Sequence, residues 1–240
     1  MERFFVDPSA IRGNVAMITG EDVAHITRVL RLKSGDEIRV CDGQGFEYTA
    51  RLAELNKQSV SAELFEKNPV RTEPVHAVTL YQGLPKAGKM ELIIQKCVEL
   101  GVTAIVPMVT DRCVVKPDAD FEKKRVRYQR VAYEAAKQSG RGTVPQVKPL
   151  TTLSKIPYAR HGLVLHAYEE EHARTLKKAL EGNTADDIAI LIGPEGGFTK
   201  EEVEQSVANG AKTITLGNRI LRTETAGMAM LAMTLYELEG

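Results

Sequence analysis

Asp187-Ile188-Ala189-Ile190-Leu191-Ile192 followed by Gly193-Pro194-Glu195-Gly196-Gly197-Phe198 reads as a fully apolar strand that breaks into a glycine-bearing turn. Thr199 with Glu202 three positions on is a capping box, so a helix is predicted to begin directly after the turn. A continuous apolar strand feeding a helix is the signature of a parallel sheet covered on both faces. The same pattern recurs on either side. Ala77 to Gln82, Thr103 to Val109, Gly162 to Ala167 and Lys212 to Leu216 are apolar strands, and Lys86 to Leu100, Phe121 to Ser139 and Thr225 to Leu238 have helical periodicity.

The first seventy residues behave differently. Ile38 and Val40, then Phe46, Tyr48, Ala50 and Leu52, then Val60, Ala62 and Leu64 alternate with polar residues, as half-buried antiparallel strands do. Asp42-Gly43-Gln44-Gly45 is a hairpin turn between the first two runs, and Glu21 to Leu30 reads as a short helix. Two prolines in Asn68-Pro69-Val70-Arg71-Thr72-Glu73-Pro74 end the regular pairing. The expected organisation is a small barrel-like β domain over residues 1–72 and an α/β domain over 73–240.

Lys plus Arg equals Asp plus Glu at 32 each, so a polyanionic partner would have to be held by local patches and not by a global field. The three cysteines, Cys41, Cys97 and Cys113, lack metal-ligand spacing, and the amino-terminal stretch lacks the apolar core of a signal peptide. With no apolar run of bilayer length, the expectation is a cytoplasmic protein without structural zinc, disulfides or a membrane partner.

The turn at Gly193 carries neither the Gly-x-Gly-x-x-Gly pattern nor a following Gly-Lys-Ser/Thr. Pro194 removes a backbone donor and Glu195 puts a negative charge where a phosphate would sit. Such a loop suits a ligand read by backbone groups at close approach, although an ordinary strand-to-helix turn accounts for it equally well. A second loop, Leu216-Gly217-Asn218-Arg219-Ile220-Leu221-Arg222-Thr223-Glu224-Thr225-Ala226, shifts that balance. Ile220 and Leu221 stand between two arginines where a structural turn is usually polar, and could sandwich a flat adenine. Plugging of the core by one of them is the competing account.

The two loops together resemble the paired signature of the ribosomal RNA small subunit methyltransferase E family, within the SPOUT superfamily. The likeness extends through Lys89-Met90-Glu91, Gln95 to Val102, Asp111-Arg112-Cys113 and Glu134 to Arg141, and back to His25 to Asp36. It implies a SPOUT-type knotted α/β parallel-sheet methyltransferase domain preceded by a PUA-like β-barrel. It implies S-adenosyl-L-methionine as methyl donor, N3 of one uridine in 16S ribosomal RNA of the small subunit as acceptor (RNA, not DNA), and a homodimer. By matching position, Leu165, His166, Gly193, Pro194, Glu195, Gly196, Gly197, Leu216, Gly217, Asn218, Ile220 and Leu221 would hold the donor. Methylation of an imide nitrogen requires loss of its proton. Arg222 is expected to stabilise the resulting charge, and Glu224 to orient that arginine or help remove the proton. Arg28, Arg31 and Lys33, with Lys123, Arg127 and Arg130 and the nearby Lys137 and Arg141, are the cations expected to meet RNA phosphates.

Overall fold

A computed structural model describes residues 1–86, 88–115 and 120–240. The chain divides into two compact units, one of residues 1–73 with 136–144 and one of 74–135 with 145–240.

In the first unit, β1 (Arg3–Phe5), β2 (Ile11–Arg12), β3 (Val15–Thr19), β4 (Glu37–Cys41), β5 (Phe46–Leu55) and β6 (Ser59–Pro69) form one sheet ordered β1-β4-β5-β6-β3-β2. β1 pairs parallel with β4, and every other pair is antiparallel. Of the predicted inward positions, Ile38, Val40, Ala50, Leu52, Val60, Ala62 and Leu64 are buried and share a core with Phe4, Ile18 and Ile26. Tyr48 is half-buried against that core, and Phe46, beyond the register shift at Thr49 and Ala50, is exposed. The alternation of period two thus sends one face inward on each strand.

The predicted helix of residues 21–30 is two pieces. α1 (Glu21–Ala24) is α-helical, and His25–Val29 widens into a π turn. Leu30 N–H bonds His25 C=O at 2.9 Å, and Leu32 N–H reaches Ile26 C=O at 3.0 Å. Closing the helix in this way puts Arg31 in the left-handed region at φ 55°, the one non-glycine residue with positive φ among the described residues. A side chain with a Cβ is costly there. Arg31→Gly is therefore expected to stabilise the protein by about 0.5–1 kcal/mol, read as a higher denaturant midpoint at constant slope.

The second unit is a wholly parallel sheet. β7 (Ala77–Gly83), β8 (Ala104–Val109), β9 (Gln146–Val147), β10 (Thr151–Thr152), β11 (Leu163–Ala167), β12 (Asp187–Ile192) and β13 (Lys212–Ile214) run in the order β10-β8-β7-β12-β11-β13, with β9 beside β8. β12 lies between β7 and β11, with Ala77 opposite Asp187 and Leu163 opposite Ile188. Its residues from Ile188 to Ile192 are at most 2% exposed, as the unbroken apolar run requires.

α2 (Lys89–Glu99) buries Met90, Ile93, Ile94, Cys97 and Val98, the predicted face, and ends where Gly101 turns left-handed at φ 100°. The helix was expected from Lys86. Ala87 lies outside the described residues, and the helix begins at Lys89 after a left-handed Gly88. α3 (Phe121–Gln138), α4 (Leu176–Leu180), α5 (Lys200–Ala208) and α6 (Thr223–Glu239) complete the chain. α6 packs on α2, α4, β7 and β12, burying Thr223, Gly227, Met230, Leu231 and Thr234 along one stripe. Among the described residues no helix is long and apolar enough to cross a membrane, and the three cysteines are free.

Candidate functional site

The carboxyl ends of β7, β11, β12 and β13 meet at one edge of the parallel sheet, where the chain reverses its direction of strand addition. In open α/β sheets that edge is where ligands bind. After Ile192 the chain turns through Gly193 to Gly197, closed by a Gly197 N–H to Pro194 C=O bond of 3.0 Å with Gly197 at φ 67°. The predicted capping box is present. Thr199 Oγ1 accepts from Glu202 N–H and Glu202 Oε2 accepts from Thr199 N–H, which fixes the exit of the turn into α5.

Two contacts hold the turn from behind. Gly83, at the end of β7, lies so near that a Cβ there would sit 2.5 Å from Pro194 N and 2.8 Å from Gly193 C. Thr223 Oγ1 donates to Gly193 C=O at 2.5 Å, while accepting from Gln82 Nε2 at 2.8 Å. The last turn of β7, the Gly193 turn and the start of α6 are thereby joined by a hydrogen-bonded relay. Because the atoms facing Gly83 are backbone and the Pro194 ring Cδ, neither of which can swing aside, a methyl group cannot be absorbed by rotating a side chain. Gly83→Ala is expected to cost about 1–3 kcal/mol in thermal unfolding and to displace the turn.

The second loop follows β13, which ends at Ile214, two residues earlier than the sequence pattern suggests. Thr215 continues as a single bridge to Thr175, and Gly217 bends at φ 107° with its N–H on Thr215 Oγ1. Ile220 is 91% exposed and so does not plug the core, while Leu221 is half-buried.

Both loops line one cavity of about 720 Å³, with residues 193–198 on one side, 215–223 on the other, and Ala167, Tyr168 and Glu169 between. The structure thus brings Gly193, Pro194, Glu195, Gly196, Gly197, Leu216, Gly217, Asn218, Ile220, Leu221 and Arg222 to a common surface. Leu165 and His166 stand one step back. Both are wholly buried, and neither lines the cavity. Ser206 Oγ donates to Val203 C=O, so it accepts from His166 Nδ1–H at 2.6 Å. Burial pushes the imidazole down to about 4, keeping it neutral, and its ring meets the Phe198 ring edge-on at 4.1 Å between centroids.

Glu224 also lies outside the cavity lining, and its ion pair is with Lys89 Nζ at 3.1 Å, not with Arg222. The same ammonium pairs with Glu195 Oε1 at 3.0 Å, and Glu195 accepts from Lys86 N–H as well. Its hydrogen bond to Glu195 and then its interaction with Glu224 raise the lysine above its usual range. Burial favours a raised Glu195, but its own backbone N–H, Lys89 and Lys86 outweigh that and hold it low. Glu224 is lowered by its own backbone N–H and by Lys89. Lys89 lines the cavity, and reading by sequence alone gave it no role. Its stretch, Lys89-Met90-Glu91, belongs to the family likeness, but its two carboxylate partners lie more than a hundred positions away, so nothing local reveals the pairing. Among the described residues no cluster of His, Cys, Asp and Glu could hold a metal.

Of the cations expected at RNA, Arg28, Arg31 and Lys33 are exposed on the first unit, and Lys123, Arg127 and Arg130 on α3. Lys123 pairs with Asp120 at 2.7 Å and Arg127 with Glu91 at 2.8 Å. Lys137 and Arg141 are not surface charges. Lys137 is buried against Asp22 and over the Phe4 ring, and Arg141, with 4% side-chain exposure, is bound to Glu73.

The fold and cavity are those of an α/β methyltransferase with a PUA-like amino-terminal domain. A family model described as RNA methyltransferase domain matches residues 71–235, and one described as RNA methyltransferase PUA domain matches residues 18–65. The chain is 36% identical to ribosomal RNA small subunit methyltransferase E of Bacillus subtilis, over 100% of this chain and 98% of that protein. It is 35% identical to the protein of the same name from Synechocystis, over 99% of this chain and 78% of that one. The crystal structure of ribosomal RNA small subunit methyltransferase E from Neisseria gonorrhoeae, bound to S-adenosyl methionine, superposes with a TM-score of 0.85 at 33% identity, covering 97% of this chain and 96% of that one. The chain belongs to the ribosomal RNA small subunit methyltransferase E family.

Proposed function

We propose that this protein transfers a methyl group from S-adenosyl-L-methionine to N3 of one uridine in 16S ribosomal RNA of the small ribosomal subunit. The observation that carries the reading is the single cavity formed by the Gly193 and Leu216 loops. Its volume is that of a small-ligand site, and its walls combine backbone turns and apolar side chains with a few charged ones, among them Lys89, Glu195 and Arg222. The carboxylate of Glu195 and the prolyl nitrogen of Pro194 disfavour a phosphate, whereas an uncharged adenosine suits Leu216, Ile220 and Leu221. Bound there, the donor supplies an activated methyl group. Residues 193–197 and 216–221 would hold it through backbone groups, while Leu165 and His166 support the floor from beneath. Arg222, beside the same cavity, would stabilise the negative charge of the deprotonated uracil.

Residues 1–72 would serve as the RNA-docking domain and 73–240 as the methyl-transfer domain. Arg28, Arg31 and Lys33 would meet RNA phosphates from the first, and Lys123, Arg127 and Arg130 from the second. A trefoil knot is part of the reading. It is supported by the strand order, which inserts β12 between β7 and β11, both earlier in the chain. A homodimer placing α6 at its seam is supported by the exposed Met233 and Tyr236 on that helix. A bacterial cytoplasmic location goes with such a substrate.

The deciding experiment incubates the protein with unmodified small subunits and labelled donor, then maps the product by mass spectrometry. Calorimetry is run in parallel with the donor and with ATP. Methylation at one uridine N3 and binding of the donor alone are expected. A methylated base other than uridine, or preference for ATP, would refute the assignment.

A further inference from the structure

Lys89 is the first residue of α2 and lines the donor cavity. Its ammonium nitrogen is held at 3.0 Å from Glu195 Oε1 and 3.1 Å from Glu224 Oε2, one carboxylate on the Gly193 turn and the other in the first turn of α6. Glu195 is fixed in turn by Lys86 N–H at 3.1 Å. An ammonium has three donors; one bonds Glu195 Oε1 and Glu224 faces the nitrogen at ion-pair distance, so at least one donor is left for a ligand. The carboxylates also keep the lysine charged, so it serves as a cation and hydrogen-bond donor and not as a base. Glu224 is outside the cavity lining and meets the site through its ion pair with this lysine, while the charge of Arg222 also acts on it.

We propose that Lys89 is a catalytic residue whose ammonium contacts a carbonyl oxygen of the target uracil, with Glu195 and Glu224 as its positioning residues. The proposal rests on the uracil-N3 reading above. In the step it serves, hydroxide from solvent takes the N3 proton and becomes water, and the charge left on the imide spreads over O2 and O4. N3 then bonds the methyl carbon as the carbon–sulfur bond breaks, its electron pair remaining on sulfur. An imide anion carries charge on two oxygens, and three cations line the cavity, Lys89, Arg219 and Arg222, of which Lys89 is held between two carboxylates. Arg222 serves one oxygen and Lys89 the other. Fixed cations aimed at developing charge act most strongly where water is excluded. The carboxylate of the donor's amino-acid end presents the same oxyanion chemistry, so the experiment separates the two.

Wild type, Lys89→Met and Lys89→Arg are compared by thermal unfolding, by calorimetry with S-adenosyl-L-methionine, and by turnover across pH. The substrates are unmethylated small subunits prepared with uracil or with 5-fluorouracil, whose imide is more acidic. For Lys89→Met the expected result is donor affinity within about twofold of wild type and kcat lowered on the order of 10²-fold. The rising limb of its pH–rate profile should move to higher pH, with most of the loss recovered on fluorinated subunits. Lys89→Arg should keep a cation and most of the turnover. Wild-type kcat in Lys89→Met would overturn the proposal. So would a loss confined to donor affinity, which would assign the lysine to the donor carboxylate. Lowered turnover with neither pH shift nor rescue by fluorine would also overturn it, because a lysine that merely braces the loops predicts that pattern. A wild-type protein that leaves the subunits unmethylated would sink the functional reading itself, whereas active wild type with an unimpaired Lys89→Met sinks only this proposal.

Discussion

Arg222→Ala is expected to lower kcat by about 10²–10³-fold, the loss typical when one donor to a developing oxyanion is removed. Donor affinity should stay near wild type, because residues 193–197 and 216–221 are untouched. The structure supports so selective an effect. Arg222 is the residue that caps α6, but its side chain makes no capping hydrogen bond, and its carbonyl alone accepts Ala226 N–H at 2.8 Å. The exposed guanidinium is thus not consumed by holding the helix, and alanine keeps the backbone that does. Turnover with saturating small subunits, together with calorimetry of the donor, measures the two quantities separately. Normal turnover in the variant would remove Arg222 from the chemistry.

The second large effect concerns stability. Glu73 is a hub. Its carboxylate accepts from Arg141 Nε at 3.2 Å, Gly142 N–H at 2.8 Å and Thr143 Oγ1 at 2.8 Å, with Arg141 Nη2 at 2.5 Å completing a two-pronged pair. Glu73→Ala removes the paired carboxylate from a guanidinium whose side chain is 4% exposed. The expected cost is about 3 kcal/mol, the lower end for a broken buried pair, since part of the carboxylate reaches solvent. Denaturant unfolding should show a lower midpoint. Burial alone would raise the Glu73 carboxyl, but the hydrogen bonds and charge of Arg141, the Thr143 hydroxyl and Gly142 N–H hold it below the usual carboxylate range. A group depressed in the folded state binds its proton more readily when unfolded. Its stabilisation is therefore complete above the unfolded value and fades as pH falls through the folded one. Wild type should lose stability on acidification below the ordinary glutamate range, and Glu73→Ala should lose less over the same interval.

What the sequence made legible was local. The run from Asp187 to Ile192, the turn after it and the Thr199–Glu202 cap depend on residues within a few positions of one another, and all three stand as read. The inward positions of β4, β5 and β6 were legible for the same reason. β1 and β2 were not, because strands of two or three residues hold too little alternation to register, and β3 went unread as well. The position of β12 within the sheet is likewise invisible in its own composition. Charges were misread where the partner is remote. Lys137 and Arg141 look like part of a basic stripe until Asp22 and Glu73 are seen to take them. Lys89 is the converse, an ordinary helix lysine in sequence that becomes notable only once Glu195 and Glu224 converge on it. The assembly of the cavity by Gly83, Gln82 and Thr223 belongs to the same class, since each acts on a loop distant in the chain.

The placement of β12 beside β7 has a kinetic corollary. Neighbouring strands β4 and β5, and β5 and β6, are joined by tight connections, so their ladders can zip soon after collapse. Ala77 must instead find Asp187 across the whole intervening chain, and the entropy of closing that loop is spent before any bond of the ladder repays it. Refolding is therefore expected to be biphasic, with tertiary signals from the first unit recovering early and competence to bind small molecules returning only in the slow phase.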